Sequence, residues 1–152
     1  MSELFIGIMS GTSADSVDAV LLSISEEEIK SLGSYSHSIP EKVKHSIYEL
    51  VNSTNLDKEN IKALDIDLGE IFAEAVNELL IQEGVSSKTI QAIGSHGQTI
   101  KHSPNLPVPF SLQIGNAQLL ANLTGIRTVS DFRSDDISAG GQGAPITPIF
   151  NN

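Results

Sequence analysis

The run Leu4-Phe5-Ile6-Gly7-Ile8-Met9 is apolar and of strand length, and the small polar run Ser10-Gly11-Thr12-Ser13 follows it directly. A second apolar stretch, Val17 to Ile24, alternates in part and is rich in branched residues, as strands are. The short link between the two stretches predicts a hairpin. A weaker third strand is expected within Ile29 to Ile39, so the chain opens with three strands joined by hairpins.

Two helices are predicted to follow these strands. Pro40 opens the first, at a position where its missing N–H is harmless. The second carries apolar residues every three or four positions between Ile61 and Leu79, and Gly84 lies where a left-handed C-terminal residue belongs. Asp65 and Asp67 are not followed by the glycine and glutamate of a calcium loop, so we expect them on a solvated helix face.

The rest of the chain alternates strands with helices. The predicted elements are a strand at Ile90 to Ser95, a polar turn at His96 to Thr99, a proline-marked loop at Asn105 to Pro109, a strand at Phe110 to Ile114, a helix at Asn116 to Leu123 capped by Gly125, a strand at Ile126 to Phe132 and a loop at Ser138 to Pro148. This order predicts an α/β fold with a mixed sheet, three leading antiparallel strands and flanking helices.

The composition restricts the class of function. The chain has 152 residues, about one domain, and its 19 acidic against 9 basic residues give a formal charge of −10. A nucleic-acid surface needs a basic stripe, which this chain lacks. It has no apolar run of bilayer length, no secretory signal at Met1-Ser2-Glu3 and no cysteine. We therefore expect a cytoplasmic protein without membrane or nucleic-acid partners.

Four glycine-centred turns follow predicted strands, at residues 10–13, 96–99, 114–116 and 140–143. Ligands bind at strand ends in layered α/β folds because side chains and backbone amides from several loops converge there. The turn Ser10 to Ser13 offers closely spaced N–H groups and hydroxyls, which suit the oxygens of a phosphate chain. It lacks the spacing and the lysine of a Walker loop, and no helix opens from residues 140–143, as a dinucleotide-binding loop requires.

Several polar residues near these turns are candidates for chemistry, and each has a structural alternative. A carboxylate beside a phosphate site acts as a base, as a metal ligand through water or as a ribose acceptor, whereas elsewhere it caps a helix or a turn. Arg133 either positions an anionic ligand or neutralises its acidic neighbours. His96 is either a hydrogen-bonding group for a ligand or a structural residue. A Ser/His/Asp hydrolase has no Gly-x-Ser-x-Gly elbow to support it here. The candidate acids are Asp15, Asp18, Asp131, Asp135 and Asp136.

Five blocks of the sequence, in order, resemble motifs of the anhydro-N-acetylmuramic acid kinases. They are Gly7 to Asp18, Ile93 to Thr99, Leu112 to Gly115, Thr124 to Ile126, and Asp131-Phe132-Arg133 through Asp136 to Gly140-Gly141-Gln142-Gly143-Ala144-Pro145. The resemblance extends over nearly the whole chain. It implies one ribonuclease-H-like lobe of the actin-like ATPase fold, which sugar kinases and actin share.

The same resemblance implies a reaction of peptidoglycan recycling. ATP, with Mg²⁺, and water convert 1,6-anhydro-N-acetylmuramic acid to N-acetylmuramic acid 6-phosphate: water opens the anhydro bridge at C1 while O6 takes the γ-phosphoryl group. This chemistry needs a base for the water, a site for the phosphates and closure of two lobes to exclude bulk water. A homodimer is implied as well, and no metal-ligating residue is assigned.

The resemblance also assigns roles by position. Asp136 matches the aspartate that acts as general base, and the adjacent Asp135 does not. Arg133, His96 and Gln98 fall in blocks that line the cleft, where we expect contacts with the substrate. The ATP-binding turn falls on Gly11, Thr12, Ser13, Ala14, Asp15, Ser16, Val17 and Asp18.

Two departures from the family pattern have consequences. Ser16 stands where the family usually has glycine, and serine would strain the turn if that position needs a positive φ. The family's second lobe, with its Gly-Gly-Ile-Ala-Asn and Asp-Thr-Gly-Pro-Gly-Asn turns, is absent from residues 1–152. We expect a single lobe that depends on a second-lobe chain or C-terminal half for activity. The alternatives are an actin-like kinase for another sugar and a regulatory lobe that only binds a partner.

Overall fold

The computed structural model describes residues 2–144, in which six strands and four helices follow one another. A 3-10 turn at Ser87–Thr89 precedes the fourth strand. No helix in this part of the chain is long and apolar enough to cross a membrane. The elements are β1 (Glu3–Ser10), β2 (Ser16–Ile24), β3 (Ile29–Ser38), α1 (Glu41–Asn52), α2 (Lys58–Glu83), β4 (Ile90–Ser103), β5 (Phe110–Ile114), α3 (Ala117–Thr124), β6 (Thr128–Val129) and α4 (Phe132–Ser138).

The six strands form one mixed sheet. Its order is β3-β2-β1-β4-β5, and β6 pairs with β4 beside β5. β1 runs parallel to β4, and β4 runs parallel to β6, whereas the β1–β2, β2–β3 and β4–β5 pairs are antiparallel. β4 pairs with β6 through its first half and with β5 through its second half, so one strand serves both neighbours. The predicted mixed sheet with three leading antiparallel strands is confirmed.

Helix α2 supplies the largest part of the core beside the sheet. Asp57 accepts a hydrogen bond from the amide of Glu59 at its start, and Gly84 ends it in the left-handed conformation, as predicted. Burying each leucine or phenylalanine of the apolar stripe stabilises the fold by about 1.5–3 kcal/mol. The stripe comprises Leu64, Leu68, Phe72, Val76 and Leu79.

The predicted turn at residues 96–99 is wrong, because β4 continues through it to Ser103. Ile8 pairs with Ser95 and Met9 pairs with Gly97, which leaves His96 as an extra residue in β4. Gly97, the residue after His96, accommodates the extra residue by adopting a positive φ of 76°. This is a β-bulge, a device that bends a strand and redirects a side chain without ending the pairing.

The C-terminal part of the described chain also differs from the prediction. The strand expected from Ile126 to Phe132 is reduced to Thr128–Val129, and α4 (Phe132–Ser138) follows where no helix was expected. Asp131 adopts a left-handed φ of 68° and turns the chain from β6 into α4. Residues 139–144 are irregular, in agreement with the predicted loop, and its remainder at 145–148 lies outside the described residues.

Candidate active site

All four glycine-centred segments lie at one edge of the sheet. β1, β4 and β6 are parallel, so the segments that follow β1 and β6 lie beside the His96 bulge. Pairing of Ile114 with Gln98 brings the segment 114–116 to the same place. Gly143 adds the fourth segment, because its carbonyl accepts a hydrogen bond from Arg133 and its amide donates one to Asp136. This convergence at a sheet edge is the arrangement that α/β folds use to bind ligands.

The turn after β1 is built from small residues. The amide of Ala14 donates to the carbonyl of Gly11 at 3.0 Å, and Ala14 is fully buried with φ 51°. A non-glycine residue at positive φ is strained, and such strain clusters at functional sites. Thr12 and Ser13 are exposed at the tip of the turn. Within residues 2–144 their amides form no hydrogen bond, so the turn has two N–H groups without a partner among the described residues.

Helix α1 holds this turn from outside through two residues one helical turn apart. The hydroxyl of Tyr48 donates to the carbonyl of Ser13 at 2.6 Å, and the Lys44 ammonium donates to the carboxylate of Asp15. Lys44 lowers the pKa of Asp15, and the Ser13 hydroxyl acts in the same direction. The predicted ATP-binding turn is therefore anchored by residues that lie about 30 positions further along the chain and that no sequence signal linked to it.

Ser16 does not strain the turn. It is the first residue of β2, it pairs with Ser38, and it has no positive φ. Its hydroxyl donates to the carboxylate of Asp18 at 3.4 Å, and both residues lie at the start of the extended strand. Serine would strain the turn only if residue 16 had a positive φ. The residue of this turn with a positive φ is Ala14 instead.

His96 and Arg133 are in direct contact. Nε of Arg133 donates to Nε2 of His96 at 2.9 Å, and Nδ1 of His96 lies 3.1 Å from the carbonyl oxygen of Gly97. A neutral imidazole with its proton on Nδ1 satisfies both contacts. Burial lowers the pKa of His96, and the Arg133 charge acts in the same direction against the raising effect of the Gly97 carbonyl. His96 is thus held in its neutral form.

Arg133 connects the bulge to the glycine-rich loop. Its Nη1 donates to the carbonyl of Gly143 at 2.9 Å, and within residues 2–144 it pairs with no carboxylate. Among the described residues, Arg133 therefore does not neutralise its acidic neighbours, which was the structural alternative for this side chain. A guanidinium has five N–H donors, and two of them are used here.

Asp136 is held by the same loop. Its Oδ2 accepts a hydrogen bond from the amide of Gly143 at 2.7 Å, and its carbonyl accepts from the amide of Gly141 at 2.8 Å. A Cβ at Gly141 would overlap the Asp136 carboxylate, so this close approach requires glycine. Asp135 is exposed, and its carboxylate makes no hydrogen bond within the described residues. The glycine-rich loop thus binds the carboxylate of Asp136 and not that of Asp135, a difference that the sequence composition does not show.

Gln98 lies beneath this surface. It is 1% exposed, its Oε1 accepts from the hydroxyl of Ser10 at 2.6 Å, and its Nε2 donates to the carbonyl of Thr99 at 3.2 Å. The amide joins the end of β1 to β4. The prediction that Gln98 contacts the substrate stays a prediction.

Asp65 corrects another expectation. It is half-buried, its Oδ1 accepts from the amide of Gly115 at 2.9 Å, and its Oδ2 accepts from the side chain of Asn116 at 3.0 Å. It fixes the segment between β5 and α3 instead of lying on a solvated face, as Asp67 does. No local sequence pattern indicates this pairing, because the partners are separated by 50 residues.

The turn after β1 fits the phosphates of a nucleotide. Unpaired amides on residues without bulk suit anionic oxygens. A Cβ at Gly11 would meet nothing within 4 Å, so the turn is open on that side. Within residues 2–144 no three His, Asp or Glu side chains form a metal site. Mg²⁺ usually binds to proteins through one or two carboxylates together with phosphates and water, and the exposed Asp18 is available for that.

The strand order and directions define the class of the protein. In the order β3-β2-β1-β4-β6, β2 alone runs opposite to the other strands. This is the ribonuclease-H-like lobe of the actin-like ATPase fold. The model of the anhydro-N-acetylmuramic acid kinase family matches residues 3–152. The chain belongs to that family.

Individual relatives agree with this assignment. The chain is 44% identical over 151 residues to the anhydro-N-acetylmuramic acid kinase of Saccharophagus degradans, with 97% of this chain and 41% of the relative covered. It is 44% identical over 147 residues to that of Shewanella loihica, covering 97% and 40%, and 42% identical over 149 residues to that of Vibrio vulnificus, covering 98% and 40%. The chain thus spans about 40% of the length of these curated relatives.

Two solved structures are similar over part of their length. YeaZ from Pseudomonas aeruginosa matches with a TM-score of 0.34 at 14% identity, covering 91% of this chain and 50% of that one. The PPX-GPPA enzyme of Aquifex aeolicus matches with a TM-score of 0.34 at 12% identity, covering 86% and 36%.

Proposed function

We propose that this lobe is part of a kinase that uses ATP and water to convert 1,6-anhydro-N-acetylmuramic acid to N-acetylmuramic acid 6-phosphate. One observation supports the proposal above all. The Asp136 carboxylate is fixed by the amide of Gly143 at 2.7 Å, on the helix whose Arg133 binds His96. A fixed carboxylate at the same sheet edge as an open phosphate-binding turn supplies the two functions that this reaction needs.

The proposed nucleotide site is the turn from Gly11 to Asp18. The amides of Thr12 and Ser13 and the hydroxyl of Thr12 would bind phosphate oxygens, and α1 would keep the turn in place through Tyr48. Bound ATP with Mg²⁺ supplies the γ-phosphoryl group, and the metal offsets the charge that develops on the phosphate oxygens. Asp18 would reach the metal through water.

Asp136 is the proposed general base. Its Oδ2 receives the Gly143 amide, which leaves Oδ1 to accept a proton from the attacking water. The water oxygen bonds to C1 of the sugar, the C1–O6 bond breaks, and O6 bonds to the γ-phosphorus as ADP leaves. The carboxylate must lie within hydrogen-bond reach of the water, and the contact with Gly143 limits its orientations.

Arg133 and His96 are proposed to contact the substrate. Arg133 keeps N–H donors that the described residues do not use, and His96 presents a neutral ring half-buried at the bulge. We propose that Gln98 supports this surface from its buried side, since its side-chain oxygen accepts a hydrogen bond from the hydroxyl of Ser10. The homodimer implied by the resemblance remains a prediction.

A second lobe is part of the proposal. The matched relatives are about 2.5 times as long as this chain, which covers 40–41% of them. A cleft between two lobes has half of its wall on each, so the lobe on its own is expected to bind ATP weakly. The second lobe would complete the nucleotide site and exclude bulk water on closure.

The test is complementation of the lobe. This chain is mixed with the second lobe of one of the relatives, supplied as a separate polypeptide, together with ATP, Mg²⁺ and 1,6-anhydro-N-acetylmuramic acid. Formation of ADP and of the 6-phosphate sugar is followed by mass spectrometry. Turnover with both lobes and none with either alone supports the proposal, and ADP formation without phosphorylated sugar contradicts it.

Asp136→Asn in the complemented enzyme is the decisive variant, and Asp135→Asn is its matched control. Both remove one carboxylate from the exposed face of the same short helix, but only Asp136 is bound by Gly143. We expect a loss of at least about a hundredfold in kcat for Asp136→Asn and little change for Asp135→Asn. Equal activity in the two variants would remove Asp136 from the role of base.

A further inference from the structure

An ion pair lies directly beside the proposed phosphate-binding turn. The Lys44 ammonium on α1 donates to the carboxylate of Asp15, two residues after Ser13. The chain has nine lysine and arginine residues, and within residues 2–144 Lys44 is the only one of them that pairs with a carboxylate. In a protein with 19 acidic residues, the one such pair thus lies where an anion is expected to bind.

The carboxylate of Asp15 opposes the binding of phosphate at this turn. Lys44 first, and the Ser13 hydroxyl after it, lower the pKa of Asp15, which keeps a negative charge beside the unpaired amides of the turn. Asp18 adds a second exposed carboxylate at the start of β2. Charges of the same sign repel each other over about 8 Å at physiological ionic strength. The turn therefore binds a phosphate chain better when one of these charges is cancelled.

Lys44 is held at Asp15 by its surroundings. Its side chain is only 22% exposed, and its Nζ lies 5.9 Å from the centre of the Tyr48 ring, whose face attracts a cation. The hydrogen bond to Asp15 raises the pKa of Lys44, so the ammonium and the carboxylate are both charged at neutral pH. The positive charge therefore stays at the carboxylate.

The position of Asp15 does not depend on Lys44 alone. The carbonyl of Asp15 accepts a hydrogen bond from the amide of Ile39 at 3.0 Å. Tyr48 holds the nearby carbonyl of Ser13 at 2.6 Å. The turn keeps both attachments when the ammonium is removed, so the main change is the net charge beside it.

We propose that Lys44 sets the affinity of the turn for ATP by cancelling the charge of Asp15, without contacting the phosphates itself. Lys44 is a positioning residue, since it acts only through Asp15. The inference rests on the proposed kinase function and gives α1 an electrostatic role in the nucleotide site. Two other roles are compatible with the same contact: a lysine that bonds to a phosphate once ATP is bound, and a lysine that only anchors the turn.

The test uses the complemented two-lobe enzyme and measures the dissociation constant of ATP with Mg²⁺ by calorimetry, without sugar. Lys44→Met leaves the Asp15 carboxylate uncompensated, and we expect it to weaken ATP binding about five- to tenfold. Lys42→Met is the matched control, because it removes the same charge from an exposed position of α1 that forms no ion pair among the described residues. This control should bind ATP as the wild type does.

The double variant Asp15→Asn/Lys44→Met separates the three roles. If Lys44 only cancels charge, removing both charges restores the affinity for ATP to within about twofold of the wild type. If Lys44 bonds to a phosphate, or only anchors the turn, the double variant binds ATP as weakly as Lys44→Met. Such a double variant overturns the proposal.

Ionic strength supplies a second readout. Salt screens the effect of a charge, so the loss of affinity in Lys44→Met should shrink at about 0.5 M NaCl, where the screening length is roughly 4 Å. A loss that stays constant with salt contradicts the proposal. Lys44→Gln, which is neutral but keeps an N–H donor, replaces Lys44→Met if that variant folds poorly, and the same loss and salt dependence are expected.

The proposed function fails separately from this inference. If the wild type phosphorylates the sugar while the double variant stays as weak as Lys44→Met, only the inference about Lys44 is wrong. If the wild type binds ATP but does not phosphorylate the sugar, the proposed function is wrong, and the double variant still decides the role of Lys44. If the wild type with its second lobe does not bind ATP, both are wrong.

Discussion

Arg133 donates a hydrogen bond from Nε to Nε2 of His96 at 2.9 Å, and an imidazole that accepts from a guanidinium is neutral. This contact fixes one end of α4 against the bulge of β4. Protonation of His96 would replace an acceptor with a second positive charge at hydrogen-bond distance. The pair therefore responds to pH more strongly than a solvated histidine does.

The first prediction concerns stability against pH. Burial lowers the pKa of His96 below the ordinary histidine value of about 6.5, so the unfolded chain binds more protons than the folded chain at mildly acidic pH. The stabilisation is complete above about pH 6.5 and is lost as the pH falls toward the folded pKa. We expect the melting temperature of the wild type to fall more between pH 7.5 and 5 than that of His96→Gln.

His45→Gln is the control for this measurement. His45 lies on the exposed face of α1, with its side chain 75% exposed beside Glu49. This variant should keep the full acid sensitivity of the wild type. A melting profile of His96→Gln that is parallel to the wild type at every pH would refute the neutral, buried state of His96.

The second prediction concerns the loop that holds Asp136. Gly141→Ala places a methyl group where the Asp136 carboxylate lies, so the side chain must leave the Gly143 amide. A displacement of about 1 Å at a catalytic group costs up to about a hundredfold in rate. We expect a fall in kcat of the complemented enzyme with little change in the melting temperature.

Gly7→Ala serves as the matched glycine variant. A Cβ at Gly7 meets nothing within 4 Å, and its φ is not positive. Its kcat should equal that of the wild type. If Gly141→Ala also keeps full kcat, the loop does not position the base.

The third prediction concerns the support that α1 gives to the nucleotide turn. Tyr48→Phe removes the hydrogen bond to the carbonyl of Ser13 at 2.6 Å and leaves the ring in place. One hydrogen bond contributes about 0.5–1.5 kcal/mol, so we expect the KM for ATP to rise about three- to tenfold. The KM for the sugar should not change.

Tyr35→Phe is the corresponding control, because the hydroxyl of Tyr35 on β3 makes no hydrogen bond within the described residues. A rise in the KM for ATP that is equal in both variants would show that the effect of Tyr48 is not local to the turn.

The fourth prediction concerns the buried pair beneath the site. Ser10→Ala leaves Oε1 of Gln98 without a partner in a position that is 1% exposed. An unpaired buried acceptor costs about 1–3 kcal/mol, which lowers the melting temperature of a chain this size by several degrees. Ser36→Ala, an exposed strand residue, should change it by less than one degree. Calorimetric melting decides the outcome, and equal melting temperatures would contradict it.

Local patterns predicted most of the fold. The spacing of apolar residues in α2 and the left-handed Gly84 are properties of the segment itself, so sequence alone was sufficient to predict them. The bulge at His96 was not predictable, because it depends on the register of β4 against β1 and not on the local sequence. Helix α4 was missed because its start depends on a left-handed Asp131, a conformation that a sequence pattern does not show.

The site was predictable to a similar degree. The glycine-centred segments were recognised at strand ends, and the resemblance selected Asp136 over Asp135, a choice that stays a prediction. The contacts of Lys44, Tyr48 and Asp65 with those segments link residues 29 to 50 positions apart. Such pairs arise only when the helices pack on the sheet, so the chain order carries no sign of them.

The bulge at His96 also determines which face of the sheet each later side chain of β4 occupies. Ser10 lies on the side of β1 that carries Ile6 and Ile8, and Gln98 reaches Ser10 only because one extra residue has shifted the alternation of β4. Deleting His96 would remove the bulge and restore regular alternation, so Gln98 and Ile100 would still face the interior, but the contact between His96 and Arg133 would be lost. The extra residue therefore serves the contact with Arg133 and not the packing of β4. The tip of the β4–β5 hairpin at residues 104–109, which pairs with no strand, can gain or lose residues without disturbing the site.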